Sequence, residues 1–159
     1  MDKPTTDHQA DDQHHRLAPG QALANFLPYK LFRISNRLTL TLRENLRPVK
    51  ITLPRWRVLS VLSARDGRSI GELAEFTVIE QSTLSRVIDQ MERDKLVERR
   101  PSKKDNRIVQ VFLKPAGKET FEKILPSAML HYKRAIEGFS EEEQKTLDQF
   151  LRRIWDNIS

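Results

Sequence analysis

The chain has 159 residues, 38% of them apolar and 31% charged, proportions that suit a globular protein about the size of one domain. It contains no cysteine, which excludes disulfides, thiolate metal sites and oxidant sensing by its own thiols. No apolar run approaches the ~20 residues of a membrane span and no apolar leader opens the chain, so a cytoplasmic protein without a membrane partner is expected, and the net charge of +6 points to an anionic partner.

Residues 1–24 read as a disordered polar tail. The first twenty set Asp2, Asp7, Asp11 and Asp12 against Lys3 and Arg16, lack periodicity and hold Pro4, Pro19 and Gly20, too little apolar surface to offset the entropy of ordering. His8, His14 and His15 in this stretch are expected to be solvated rather than to bind metal. The positive charge therefore belongs to the folded body. It is concentrated in Lys30, Arg33, Arg37, Arg43, Arg47, Lys50, Arg55 and Arg57, with Glu44 the one acid among them, and in Arg99, Arg100, Lys103, Lys104 and Arg107 around Asp105.

Residues 25–50 carry Leu31, Ile34, Leu38, Leu42 and Leu46 every three or four positions, one face of a long amphipathic helix that Pro48 ends. Pro54 suits the first position of a second helix carrying Trp56, Leu59 and Leu62. Asp66-Gly67 signals a turn, and Ser69 can cap a short third helix with Ile70, Leu73 and Ala74. In the fourth helix, placed over 80–94, Leu84, Val87, Ile88 and Met91 form a core stripe. Beyond Leu96 the period changes to two, and Val109, Val111 and Leu113 mark a strand paired with Val97–Arg100 across a loop. Pro115 opens a further helix, Gly138 breaks it, and Ser140 with Glu143 forms a capping box for the last one, whose apolar face is Leu147, Phe150, Leu151, Ile154 and Trp155.

The expected fold is mainly α with a small β-hairpin wing: a winged helix-turn-helix over 51–114, flanked by helices at 25–50 and 115–159. Opposite the apolar stripe of the fourth helix lie Ser82, Arg86, Asp89 and Arg93, flanked by Ser85 and Gln90. Short hydroxyls and an arginine in the first turns are what a helix needs to meet base edges and phosphates in a major groove. Asp89 runs against that pattern, and its spacing allows a pair with Arg86 or with Arg93. Five basic residues over the wing, 99–108, gain most by meeting phosphates. The spacing of Asp105 and Arg107 lets the carboxylate brace a guanidinium bound for a narrow minor groove.

Ser82-Thr83-Leu84-Ser85-Arg86, the run Met91–Arg99, Asp105-Asn106-Arg107 and Val111–Gly117 together resemble the recognition helix and wing of the MarR family of transcriptional regulators. Thr52–Leu59 is similar to the start of that family's second helix, and the resemblance spans about 28–158. It implies a homodimer, joined by the first and last two helices, that reads a pseudo-palindromic duplex and acts as a repressor. Ser82, Thr83, Ser85 and Arg86 would meet the major groove, and Arg107, braced by Asp105, the minor groove. Arg93, Arg99, Lys103 and Lys104 complete the expected DNA-binding set. It also implies a small aromatic or phenolic acid as effector, bound near a cleft that Trp56, Arg57, His131 and Tyr132 could adjoin, although core packing also accounts for the aromatics. Lys114 departs from the family, which usually has a capping Thr there.

No cofactor, phosphate loop, nucleophile elbow or histidine pair at metal-ligand spacing is found in the folded body, so no enzyme is expected. The alternative is an architectural nucleic-acid binder with little sequence preference, which shares the basic patches.

Overall fold

The computed structural model describes residues 26–159. Its elements run α1 (Leu27–Leu46), α2 (Leu53–Ala64), β1 (Arg68–Ser69), α3 (Ile70–Thr77), α4 (Gln81–Arg93), β2 (Val97–Pro101), β3 (Val109–Leu113), α5 (Pro115–Ala135) and α6 (Glu141–Ile158). The described residues are mainly helical with one small antiparallel sheet, as the periodicities predict. The residues of the N-terminal tail, His8, His14 and His15 included, lie outside the described residues. Among those described, no helix is long and apolar enough to cross a membrane.

Two compact units divide within α1, one ending at Thr39 and the other running Leu40–Ser159. The described part of the first is helical from Leu27, carries Lys30, Arg33 and Arg37, and sets Arg33 over the Tyr29 ring at 5.8 Å.

The second unit is built on a core in which Val58, Leu59, Leu73, Leu84, Ile88, Met91, Val97 and Val111 are wholly excluded from solvent. Trp56 stacks on Phe121 with ring centroids 5.3 Å apart, tying α2 to α5. The i, i+3, i+4, i+7 stripe of α4 is the face that packs: Leu84, Ile88 and Met91 are buried and Val87 is half-buried. Thr52 stands at the N-cap of α2, so Pro54 takes the second helical position rather than the first.

The sheet has three strands, not the two of a simple hairpin, in the order β1-β3-β2. Val97 pairs with Leu113 and Pro101 with Val109, while Arg68 pairs with Val111 on the other edge of β3. Gly67 sets up this third strand. Its φ of +73° is one that a side chain would strain, and an added Cβ would meet the Phe112 ring at 2.7 Å. Asp66 accepts from the Leu113 N–H at 2.9 Å, and the Gln110 side chain donates to the Gly67 carbonyl at 2.7 Å, pinning the turn to β3.

Capping residues fix where α3 and α6 begin. Ser69 Oγ accepts from the Glu72 N–H at 3.2 Å while the Glu72 carboxylate accepts from the Ser69 N–H at 2.7 Å. Ser140 and Glu143 repeat this reciprocal pair at the start of α6. By contrast, α5 starts on Lys114 without a side-chain cap, consistent with the lack of a hydroxyl there.

Candidate nucleic-acid interface

Recognition by a helix depends on how its first turn is held. The start of α4 is capped by Glu80, whose carboxylate accepts from the Thr83 N–H at 3.1 Å and from the Ser82 hydroxyl. The Ser82 hydroxyl is the main reason the Glu80 carboxyl lies below the usual range; the backbone N–H groups of Ser82 and Thr83 add to it. The Ser85 hydroxyl donates to the Gln81 carbonyl at 2.9 Å. Of the expected reading residues, Ser82, Thr83 and Arg86 are exposed and Ser85 is half-buried, with Arg93 exposed at the far end of the same helix.

Two arginines of α2 hold the helix-turn-helix together. Arg57 donates to the Thr77 carbonyl at 3.2 Å, at the C-terminal end of α3 where a cation is favoured. Arg55 pairs with Asp94 at 2.8 Å, just past the last residue of α4. The connection between α3 and α4 turns on Val78, which adopts a left-handed conformation at φ 52°.

Asp89 pairs with neither Arg86 nor Arg93. Its partner is Arg99 of β2, at 2.7 Å. The same guanidinium lies 2.7 Å from Glu92, and the Arg99 N–H donates to the other Glu92 oxygen at 2.9 Å. That backbone hydrogen bond is the chief cause that holds the Glu92 carboxyl below its usual range, against the opposing effect of burial. Arg99, expected from the sequence among the DNA contacts, is thus half-buried and turned onto α4.

The other basic residues of the wing divide into paired and exposed. Arg100 pairs with Glu98 and covers the Phe112 ring at 4.8 Å. Lys103 and Lys104 are exposed at the tip, which is closed by the Ser102 N–H on the Ile108 carbonyl at 2.8 Å and the Ile108 N–H on the Asp105 carbonyl at 2.9 Å. Arg107 projects from this turn with a side chain 90% exposed. Asp105 braces it through the Arg107 backbone N–H at 3.0 Å, Nε at 3.1 Å and Nη2 at 3.0 Å. The Arg107 side chain, more than its backbone N–H, holds the Asp105 carboxyl below the usual range.

Around the effector cleft expected from the sequence, Trp56 is engaged in its stack with Phe121 and Arg57 in its bond to Thr77; His131 is half-buried and Tyr132 exposed. Sequence reasoning missed Glu80 as the cap of α4, and an acid just before the apolar stripe begins was the available signal. It also missed the Arg99 bridge. Two carboxylates one turn apart on a helix expected to approach phosphates call for a cation, and that was its signal.

A helix-turn-helix and a braced basic wing thus stand together in one unit. The MarR family sequence profile matches residues 50–108, from just before α2 to the wing tip. A MarR family transcriptional regulator from Silicibacter pomeroyi is 32% identical in sequence and superposes with a TM-score of 0.82, over 91% of this chain and 97% of that one. The chain belongs to the MarR family of transcriptional regulators. It is similar to the HTH-type transcriptional repressor IacR of Pseudomonas putida, 27% identical over 91% of this chain and 87% of that one. It is also similar to the transcriptional activatory protein BadR of Rhodopseudomonas palustris, 29% identical over 86% and 80% of the two chains.

Proposed function

We infer that this regulator binds a pseudo-palindromic duplex as a homodimer and represses by occupying promoter DNA. Residues 51–114 read the DNA, with α4 in the major groove and the wing against the minor groove, while the helices within 25–50 and 115–159 dimerise. Ser82, Thr83, Ser85 and Arg86 contact base edges or nearby phosphates; Arg93, Lys103 and Lys104 contact phosphates. The observation that carries the reading is Arg107, 90% exposed at the wing tip and held outward by Asp105, a form suited to a narrow groove of strongly negative potential. Dimerisation is supported by α6, which has no buried residue although it carries Leu147, Phe150, Leu151 and Trp155 on its surface. Repression is supported by the likeness to IacR, which is named a repressor and matches across 91% of the chain.

An effector of the small aromatic or phenolic acid class, as the family resemblance implies, would release the DNA by changing the spacing of the two recognition helices. Half-sites lie about 10 bp apart in such complexes, so a small hinge motion breaks the match.

Selection of random duplexes on the purified protein at physiological salt tests the reading. Recovery of a pseudo-palindrome with half-sites about one helical turn apart is expected; salt-sensitive binding with no motif would favour the architectural binder. Placing the recovered operator across a reporter promoter should lower its output, and a rise would make the protein an activator. On that operator, Arg86→Ala is expected to cost ~1–3 kcal/mol if Arg86 reads a base. An equal loss on random DNA would make it a phosphate contact. Arg107→Ala should weaken binding by about tenfold, most at sites with A-tract flanks, and unchanged affinity would remove the wing tip from the interface.

A further inference from the structure

A single guanidinium joins the two elements assigned to DNA. From β2, Arg99 reaches across to α4, its Nη2 at 2.7 Å from Asp89 Oδ1 and 3.4 Å from the Ser85 carbonyl, its Nη1 at 2.7 Å from Glu92 Oε2. The Arg99 backbone N–H adds a fourth contact to Glu92 Oε1 at 2.9 Å. Ser85, Asp89 and Glu92 follow one another at spacings of four and three along one side of α4. The planar fork of arginine suits two carboxylates at once in a way that the point charge of lysine does not.

We propose that Arg99 is a positioning residue that locks the recognition helix to the first wing strand, so that both enter their grooves as one body, and that it does not itself touch DNA. This rests on the reading of α4 and the wing as the DNA-contacting elements. The lever is long enough to matter. Four residue steps lead from Arg99 to Lys103, two within β2 and two beyond its end at Pro101, at most about 13 Å at ~3.3 Å per extended residue. A rotation of about 10° at the base therefore carries the tip roughly 2 Å, enough to lose hydrogen bonds that tolerate only a few tenths of an ångström.

Charge makes the test decisive, because the two acids that hold Arg99 lie on the helix that must approach phosphates. If they were only a repulsive burden, neutralising them would tighten DNA binding. If they hold the wing in place, neutralising them weakens it. With Arg99→Ala as a reference, the experiment compares the full-length wild-type protein with the Asp89→Asn/Glu92→Gln variant and with Arg99→Lys, each with and without Arg107→Ala, on the selected operator over a salt series. Thermal melting and amide exchange of residues 97–113 are followed in parallel.

Both variants are expected to bind the operator about tenfold or more weakly while remaining folded, with a salt dependence no shallower than wild type and faster exchange in the hairpin. In the Asp89→Asn/Glu92→Gln background, Arg107→Ala should cost several-fold less than in wild type, because a wing that is no longer held already delivers that arginine poorly. The proposal is overturned if that variant binds as tightly as wild type or tighter, or if its loss is no more than its unfolded fraction. It is also overturned if Arg99→Lys keeps full affinity while Arg99→Ala flattens the salt slope by about one phosphate. A wild-type protein that shows no operator preference would instead overturn the underlying reading, and the proposal with it.

Discussion

Leu151→Glu is expected to give a folded monomer whose affinity for the two-half-site operator is lower by about 10²–10⁴-fold. Leu151 sits at the middle of the α6 face formed by Leu147, Phe150, Leu151, Ile154 and Trp155, and it is 43% exposed. No residue of α6 is buried, so a carboxylate at this position costs the isolated subunit little. Across a twofold interface the same carboxylate would meet apolar side chains, and its own copy close by, without a partner to neutralise it. The fall in affinity is large because two linked modules bind with an avidity that exceeds either alone by 10²–10⁴. Sedimentation with binding to whole and half operators checks this. A variant that stays dimeric would move the interface off this face, and a monomer with full affinity would remove the need for a dimer.

Gly117→Ala should destabilise the fold by ~1–3 kcal/mol, although alanine in an open helix interior is worth about 1 kcal/mol over glycine. The sign is decided by the Leu96 carbonyl oxygen, which an added Cβ would approach to 2.1 Å, with the Leu96 carbonyl carbon at 3.0 Å. These are backbone atoms and cannot swing away. The carbonyl is also fixed by the Lys114 N–H, which donates to it at 3.0 Å. Relief therefore requires α5 to move off the base of the wing. For a domain stable by 5–15 kcal/mol, such a loss is a large share of the total. Urea unfolding reads it directly. Gly71→Ala is the control, since its added carbon would meet only Ser69 Oγ at 3.9 Å, and it should be neutral or stabilising. Equal midpoints for the two variants would refute the argument.

How far the sequence could be read depended on whether the information was local. The stripe Leu84–Ile88–Met91, the strand marked by Val109, Val111 and Leu113, and the Ser140–Glu143 cap each lie within a few residues, and each element is found in the structure, although of the three strand residues only Val111 is fully buried. Asp105 and Arg107 are two residues apart, and their pairing was legible for the same reason. β1 was not legible, because two residues carry no period; Arg68 and Ser69 become a strand only because β3 lies beside them. Helical spacing offered Asp89 the partners Arg86 and Arg93, whereas the chain turned at Lys95, where φ is +59°, and brought Arg99 back against the helix. Five basic side chains over the wing looked like one cluster in need of phosphate. Folding assigns Arg99, Arg100 and Arg107 to protein carboxylates and leaves Lys103 and Lys104 exposed at the tip.

The bracing of Arg107 has a bearing on how the wing would discriminate. An arginine on a bare loop samples many rotamers, and most of that freedom is lost when it enters a groove. Here two side-chain bonds and one backbone bond to Asp105 restrict the guanidinium while it still faces solvent. Less disorder then remains to be removed on contact, and less compliance remains to accommodate a groove of the wrong width. On the proposed reading such a tip would act as a gauge rather than a tether: its selectivity would come from stiffness, and DNA that must deform to receive it would be penalised by its own elasticity.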